Sequence, residues 1–137
     1  MSVPDDSDIA VRCDRDVVEA RRRGRELAQA MGFSLGDATL IATAVSEVAR
    51  NIVAYTSGGT VSLRRMNGAS RVGLQIIAAD DGPGIRDVEQ AMRDGYSCSG
   101  GLGLGLPGVR RLMDEFVIES AVGKGTTVRV IKWLQAG

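Results

Sequence analysis

The chain contains no histidine. Ser-His and Cys-His nucleophilic systems are therefore excluded, and so are zinc sites built on imidazole. Phosphotransfer through a histidine of this chain is excluded on the same ground. Cysteine is scarce as well: Cys13 and Cys98 are the only two, too few for a disulfide framework and without metal-ligand spacing. Charge of one sign is missing, because 17 Lys and Arg balance 17 Asp and Glu. The basic footprint expected of a nucleic-acid binder is thus absent. No apolar run approaches the roughly 20 residues needed to cross a bilayer. The polar start, MSVPDDSD, lacks an apolar signal region. A cytoplasmic protein with no nucleic-acid and no membrane partner is expected.

What is present suits a folded enzyme or binding module. A length of 137 residues fits a single domain, 1–137. A chain of this size buries roughly 68% of its unfolded surface and can build its own core. Ile9, Val11 and Cys13 alternate with polar residues and predict a first strand with Cys13 in the core. Helical spacing runs from Asp14 or Asp16 to Met31, with Gly32 as its stop. A longer helix is predicted from a cap at Ser34 or Asp37 to about Tyr55. Strands are predicted at Thr60–Met66 and Val72–Ala79, the second apolar enough to be central, joined by an Asn67-Gly68 hairpin turn. A short helix at Asp87–Arg93, a helix at Leu106–Asp114 and a closing hairpin of Phe116–Ala121 and Thr126–Leu134 complete the pattern. About three helices and five strands point to a two-layer α/β sandwich. Arg21, Arg22, Arg23 and Arg25 cluster on the first helix. They read as a solvated face, or more sharply as a docking patch for an acidic partner.

Four motifs carry the chemistry. Glu47, Arg50 and Asn51 lie three and four residues apart on the long helix, hence on one face. A carboxamide oxygen suits Mg²⁺, a hard cation, and a carboxylate can orient or deprotonate an attacking hydroxyl. The bland alternative is a polar stripe at the solvent edge of the helix. Asp80-Asp81-Gly82-Pro83-Gly84-Ile85 follows the strongest strand. It is either a tight turn or an aspartate that accepts from an adenine amino group, with Gly82 and Gly84 letting backbone approach the base. Gly100-Gly101-Leu102-Gly103-Leu104-Gly105-Leu106 runs into a helix, where free N–H groups and the dipole suit phosphate. It matches neither the P-loop nor the dinucleotide fingerprint. Gly123-Lys124-Gly125-Thr126-Thr127 is most simply a hairpin turn, although Thr126 can aim its hydroxyl at the same pocket.

Taken in order, these motifs resemble the GHKL ATPase/kinase superfamily (gyrase, Hsp90, histidine kinases, MutL), with its Bergerat nucleotide-binding fold. The resemblance implies an α+β two-layer sandwich, its mixed, mostly antiparallel sheet of about five strands covered on one face by about three helices. The gyrase, Hsp90 and MutL relatives carry large additional domains, and a histidine kinase needs a phosphoacceptor histidine; neither occurs here. The segments SEVARNIVAY, DDGPGI and GGLGLGLPGVRRLMDEF are most similar to the small serine/threonine kinases of bacterial partner switching, the RsbT type. Position by position, the resemblance makes Glu47 the general base and Asn51 the Mg²⁺ ligand. Asp80, Gly82 and Gly84 become the adenine pocket, with Thr126 in support. Gly101, Gly103, Leu104 and Gly105 become the phosphate cradle. Residues 87–100 correspond to the variable ATP lid, and Arg50 is expected to pair with Glu47 or to steady a phosphate.

The function so implied is an ATP- and Mg²⁺-dependent kinase of stressosome-type signalling. It phosphorylates a STAS-domain regulator on serine or threonine and, once released, activates a PP2C-type phosphatase. Two alternatives keep the fold and change the role: an anti-sigma factor that sequesters a sigma subunit, and a nucleotide-sensing adaptor without catalysis.

Overall fold

The computed structural model describes residues 6–80, 82 and 105–134. Helix α1, Asp14–Met31, buries Val17, Ala20, Gly24, Leu27 and Ala28, which recur every three or four residues along one face. It stops at Gly32, whose φ of 97° lies in the left-handed region open to glycine. There the N–H of Gly32 donates to Gln29 O at 3.1 Å and that of Phe33 to Ala28 O at 3.0 Å, so the last carbonyls of α1 are satisfied. Helix α2, Leu35–Tyr55, starts where Ser34 Oγ accepts from the Asp37 N–H at 3.1 Å. Gly24 lets the two helices approach: a Cβ there would lie 2.9 Å from Val45 Cγ2.

The strands are β1 (Ser7–Val11), β2 (Gly59–Asn67), β3 (Val72–Asp80), β4 (Glu115–Ala121) and β5 (Gly125–Trp133), with α3 (Gly105–Leu112) before β4. Their order in the sheet is β1-β2-β3-β5-β4, so β3 is central, as its apolar composition predicts. Expected to be mixed and mostly antiparallel, the sheet is antiparallel in all four described ladders. Alternate residues (Ile9, Val11, Val61, Leu63, Leu74, Ile76, Ala78, Val128 and Val130) join Leu27, Ile41, Val45, Val48, Leu106 and Val109 of the helices in one core. The result is two layers, helices on sheet. Among the described residues no helix is long and apolar enough to cross a membrane.

Three local expectations are corrected. Cys13 is exposed rather than buried, because β1 ends at Val11. The chain turns there, the Arg12 N–H donates to Asp16 Oδ2 at 2.9 Å, and Cys13 becomes the residue before α1. The β2–β3 connection is not a two-residue turn on Asn67-Gly68. Asn67 remains in the ladder opposite Val72, and the loop closes through the Gly68 N–H on Arg71 O at 2.7 Å, with neither residue at positive φ. Helix α3 ends at Leu112 rather than Asp114, whose N–H is taken by Ile131 O at 3.0 Å. The expected helix at 87–93, the lid at 87–100 and Cys98 lie outside the described residues.

Candidate functional site

Glu47 is 6% exposed, although a carboxylate strongly prefers water. Two donors explain how it is tolerated. Arg50, one turn further along α2, donates Nη1–H to Oε1 at 3.0 Å. The N–H of Gly105, 58 residues away at the start of α3, donates to Oε2 at 3.3 Å. A polar stripe at the solvent edge of α2 would show neither the burial nor the link to a second helix. Asn51 follows on the same side of α2 and is half-buried. Gly105 is buried and sits at φ 67°, a conformation that strains any side chain with a Cβ. Beside Glu47, between α1 and α2, lies a cavity of 230 Å³ lined in part by Val17, Arg21, Thr43, Ser46 and Arg50.

The second group gathers at the end of the sheet. Asp80 closes β3, and its Oδ1 accepts from the Gly82 N–H at 2.8 Å, an aspartate folded back on its own turn. Across the β3–β5 ladder it faces Thr126, and across the β2–β3 ladder it faces Gly59. Thr126 Oγ1 lies 2.8 Å from Ser120 Oγ, which in turn reaches Gly125 O at 3.2 Å. Gly82 has no room for a side chain: a Cβ would stand 2.6 Å from Thr56 Cγ2 and 2.9 Å from Asp80 Oδ1. Thr56 is itself fixed at the end of α2, its Oγ1 donating to Ile52 O at 2.7 Å and accepting from the Gly58 N–H at 3.0 Å.

Helix α2 therefore spans both groups, with Glu47 at one and Thr56 at the other. At 1.5 Å rise per residue the nine steps between them cover about 14 Å. That separation suits an elongated ligand with chemically different ends. One end offers a carboxylate, a carboxamide and a helix N-terminus. The other offers an aspartate flanked by close-packed backbone and hydroxyls.

Of the residues expected to form the site, Glu47, Arg50 and Gly105 meet directly, with Asn51 on the following turn of α2. Asp80, Gly82 and Thr126 gather separately. Gly84, Gly101, Gly103 and Leu104 lie outside the described residues. Thr56, Gly59 and Ser120 were not anticipated. The Gly58-Gly59 pair opening β2 was the available signal for a close approach, whereas Ser120 has no local signature.

The arginine cluster divides. Arg22 and Arg23 pair with Glu19, and Arg22 also with Glu26, on the solvated face of α1. Their hydrogen bonds lower the Glu19 carboxyl from 4.5 to about 2. Arg21 instead borders the cavity beside Arg50 and Glu47.

Residues 10–132 match the histidine kinase-like ATPase domain family. The chain is 47% identical over 131 residues to the serine/threonine-protein kinase RsbT of Bacillus subtilis (strain 168), a match covering 96% of this chain and 98% of that one. It is also similar to anti-sigma F factors. That of Caldanaerobacter subterraneus subsp. tengcongensis is 35% identical over 100 residues, 69% of this chain and 68% of the relative. That of Thermoanaerobacter sp. (strain X514) is 31% identical over the same shares.

Proposed function

Since this chain belongs to the histidine kinase-like ATPase domain family, we infer that it is an ATP-dependent serine/threonine protein kinase of the partner-switching kind. The observation that carries this reading is the contact between Glu47 and Gly105. It sets a buried carboxylate against the helix end best suited to phosphate.

In this reading the residues divide as follows. Asp80 accepts from the adenine amino group, with Gly82, Gly84 and Thr126 shaping the base pocket. Gly101, Gly103, Leu104 and Gly105 present backbone to the phosphates. Glu47 takes the proton of the acceptor hydroxyl as its oxygen bonds to the γ-phosphorus. The bond to the β,γ-bridging oxygen breaks, and its electron pair leaves on ADP. Arg50 holds Glu47 in place. Phosphoryl transfer asks mainly for positioning and charge neutralisation, which this arrangement suits.

Among the described residues no three His, Cys, Asp or Glu side chains converge to hold a metal. The donor set nevertheless fits Mg²⁺, which takes few protein ligands and completes its octahedron with phosphate oxygens and water. Asn51 would supply the carboxamide oxygen. When bound, the ion neutralises phosphate charge.

A STAS-domain regulator as substrate, a PP2C-type phosphatase as the partner of the released kinase, a cytoplasmic location and a single catalytic domain over 1–137 belong to the same proposal. Sequestration of a sigma subunit is the second reading, favoured by the likeness to anti-sigma F factors. The kinase relative is preferred because it matches at higher identity and over nearly the whole chain.

The test is γ-labelled ATP with Mg²⁺, this chain and a STAS-domain protein, beside Glu47→Ala and Asn51→Ala. Label on a STAS serine or threonine, lost in Glu47→Ala although ATP still binds, supports the kinase and its base. Asn51→Ala should bind Mg·ATP more weakly. ATP binding without any phosphoprotein would turn the reading toward the adaptor. Capture of a sigma subunit in its place would turn it toward the anti-sigma role.

A further inference from the structure

The N–H of Gly105 is one of the donors at the start of α3 that no carbonyl within the helix can satisfy. In the structure it is given to Glu47 Oε2. Donors of that kind are also what an anionic phosphate group seeks. Two negative groups cannot both sit on one N–H without strong mutual repulsion.

Resting on the kinase reading above, we propose that Glu47 and the nucleotide phosphates compete for the Gly105 N–H. The base is then released only when the nucleotide is seated. With the nucleotide absent, Oε2 is both engaged by Gly105 and sheltered, since Glu47 is 6% exposed. A hydroxyl proton must compete with that amide to reach it. When phosphate takes the amide, Oε2 loses its donor and the carboxylate turns away from the like charge.

Three features define how it moves. The Gly105 contact, at 3.3 Å, exceeds the usual 2.7–3.2 Å for N–H···O, so it is the weaker of the two and yields first. The Arg50 contact, at 3.0 Å and charge-assisted, persists and serves as the pivot. The 230 Å³ cavity beside Glu47 provides the space into which the carboxylate turns. Arg50 thus acts as a positioning residue through Glu47. Gly105 couples nucleotide occupancy to availability of the base, which keeps the empty enzyme chemically idle.

The experiment is NMR on the full chain labelled with ¹⁵N and ¹³C, reading scalar couplings across hydrogen bonds at the Gly105 amide. The samples are the free protein and the protein saturated with Mg²⁺ and the non-hydrolysable analogue AMP-PNP. The free protein should show coupling from Gly105 nitrogen to Glu47 Cδ. The complex should lose it and gain coupling from the same amide to ³¹P. Coupling to Glu47 that persists at saturation, or that is missing in the free protein, overturns the proposal while leaving nucleotide binding intact. Failure to bind the analogue at all would sink the kinase reading and this proposal with it.

Affinities give a second readout. With its competitor removed, Glu47→Ala should bind AMP-PNP about tenfold more tightly, the scale of a hydrogen bond to a charged group. Glu47→Gln loses the charge but keeps an acceptor for Gly105, so its gain should be smaller. Equal gains in the two variants would reduce the effect to charge repulsion and overturn competition for the amide.

Discussion

Asp80 and Thr126 stand directly opposite one another in the β3–β5 ladder, on the face of the sheet that the helices cover. Cross-strand partners share a face, so the carboxylate and the hydroxyl address the same space although 46 positions separate them. Asp80→Ala should weaken ATP binding about 10- to 100-fold, the loss expected for a hydrogen bond to a charged group. Its circular dichroism should match the parent. Calorimetric titration with ATP measures this, and an unchanged Kd would remove Asp80 from the base pocket.

The other neighbour of Asp80 is Gly59, and here packing decides. A Cβ at Gly59 would lie 2.4 Å from Ala79 O and 3.0 Å from Asp80 Cβ. The nearer obstacle is backbone in a central strand and has little room to yield. Gly59→Ala should therefore cost about 1–3 kcal/mol, as overpacking does. A urea melt of the parent and variant reads the difference, and equal midpoints would contradict the crowding.

Arg50→Ala leaves Oε1 of a nearly buried carboxylate without its donor. Because the Arg50 side chain is 49% exposed, water screens part of the pair. The expected loss is about 1–2 kcal/mol rather than the larger cost of a fully buried charge. Arg50→Lys should recover part of it. Denaturation with guanidinium chloride distinguishes the two variants, and an Ala variant as stable as the parent would show that Arg50 does not hold Glu47.

The Glu19 carboxyl is held at about 2 by hydrogen bonds from Arg22 and then Arg23. Because the folded value lies below the ordinary 4.5, the contribution is complete above pH 4.5 and is lost as pH falls through about 2. Titration of the Glu19 carboxyl by ¹³C NMR should show this low midpoint. Replacing both Arg22 and Arg23 with alanine should return it toward 4.5, and a midpoint already near 4.5 in the parent would mean the surface cluster is loose in solution.

The elements legible in the sequence were those with local causes. Gly32 ends α1 and Ser34 caps α2 because stop and cap chemistry act within a few residues. The β4–β5 hairpin follows from alternation on either side of glycines. Cys13 falls outside β1 because alternation alone does not mark where a strand stops: the strand ends at Val11, and the Asp16 side chain takes the Arg12 N–H as the chain turns into α1 at its expected start. Glu47 and Asn51 were legible as a pair because a helix fixes their spacing. The burial of Glu47 was not, since it depends on a helix 58 residues later. Gly59 and Ser120 enter the second group through strand pairing, and Thr56 through its packing against Gly82 from the end of α2; such partners have no signature in the local chain.

Strand order also has a consequence for assembly in time. β5, the last of the described strands along the chain, is inserted between β3 and β4 rather than added at an edge. Until it is in place β3 has an open side, β4 has no partner in the sheet, and Asp80 lacks Thr126. A polypeptide still emerging from the ribosome can already hold Glu47, Arg50 and Asp80, yet cannot complete the second group of the site. The second group therefore assembles in one late step, and a chain cut short before β5 leaves Asp80 without its partner across the ladder.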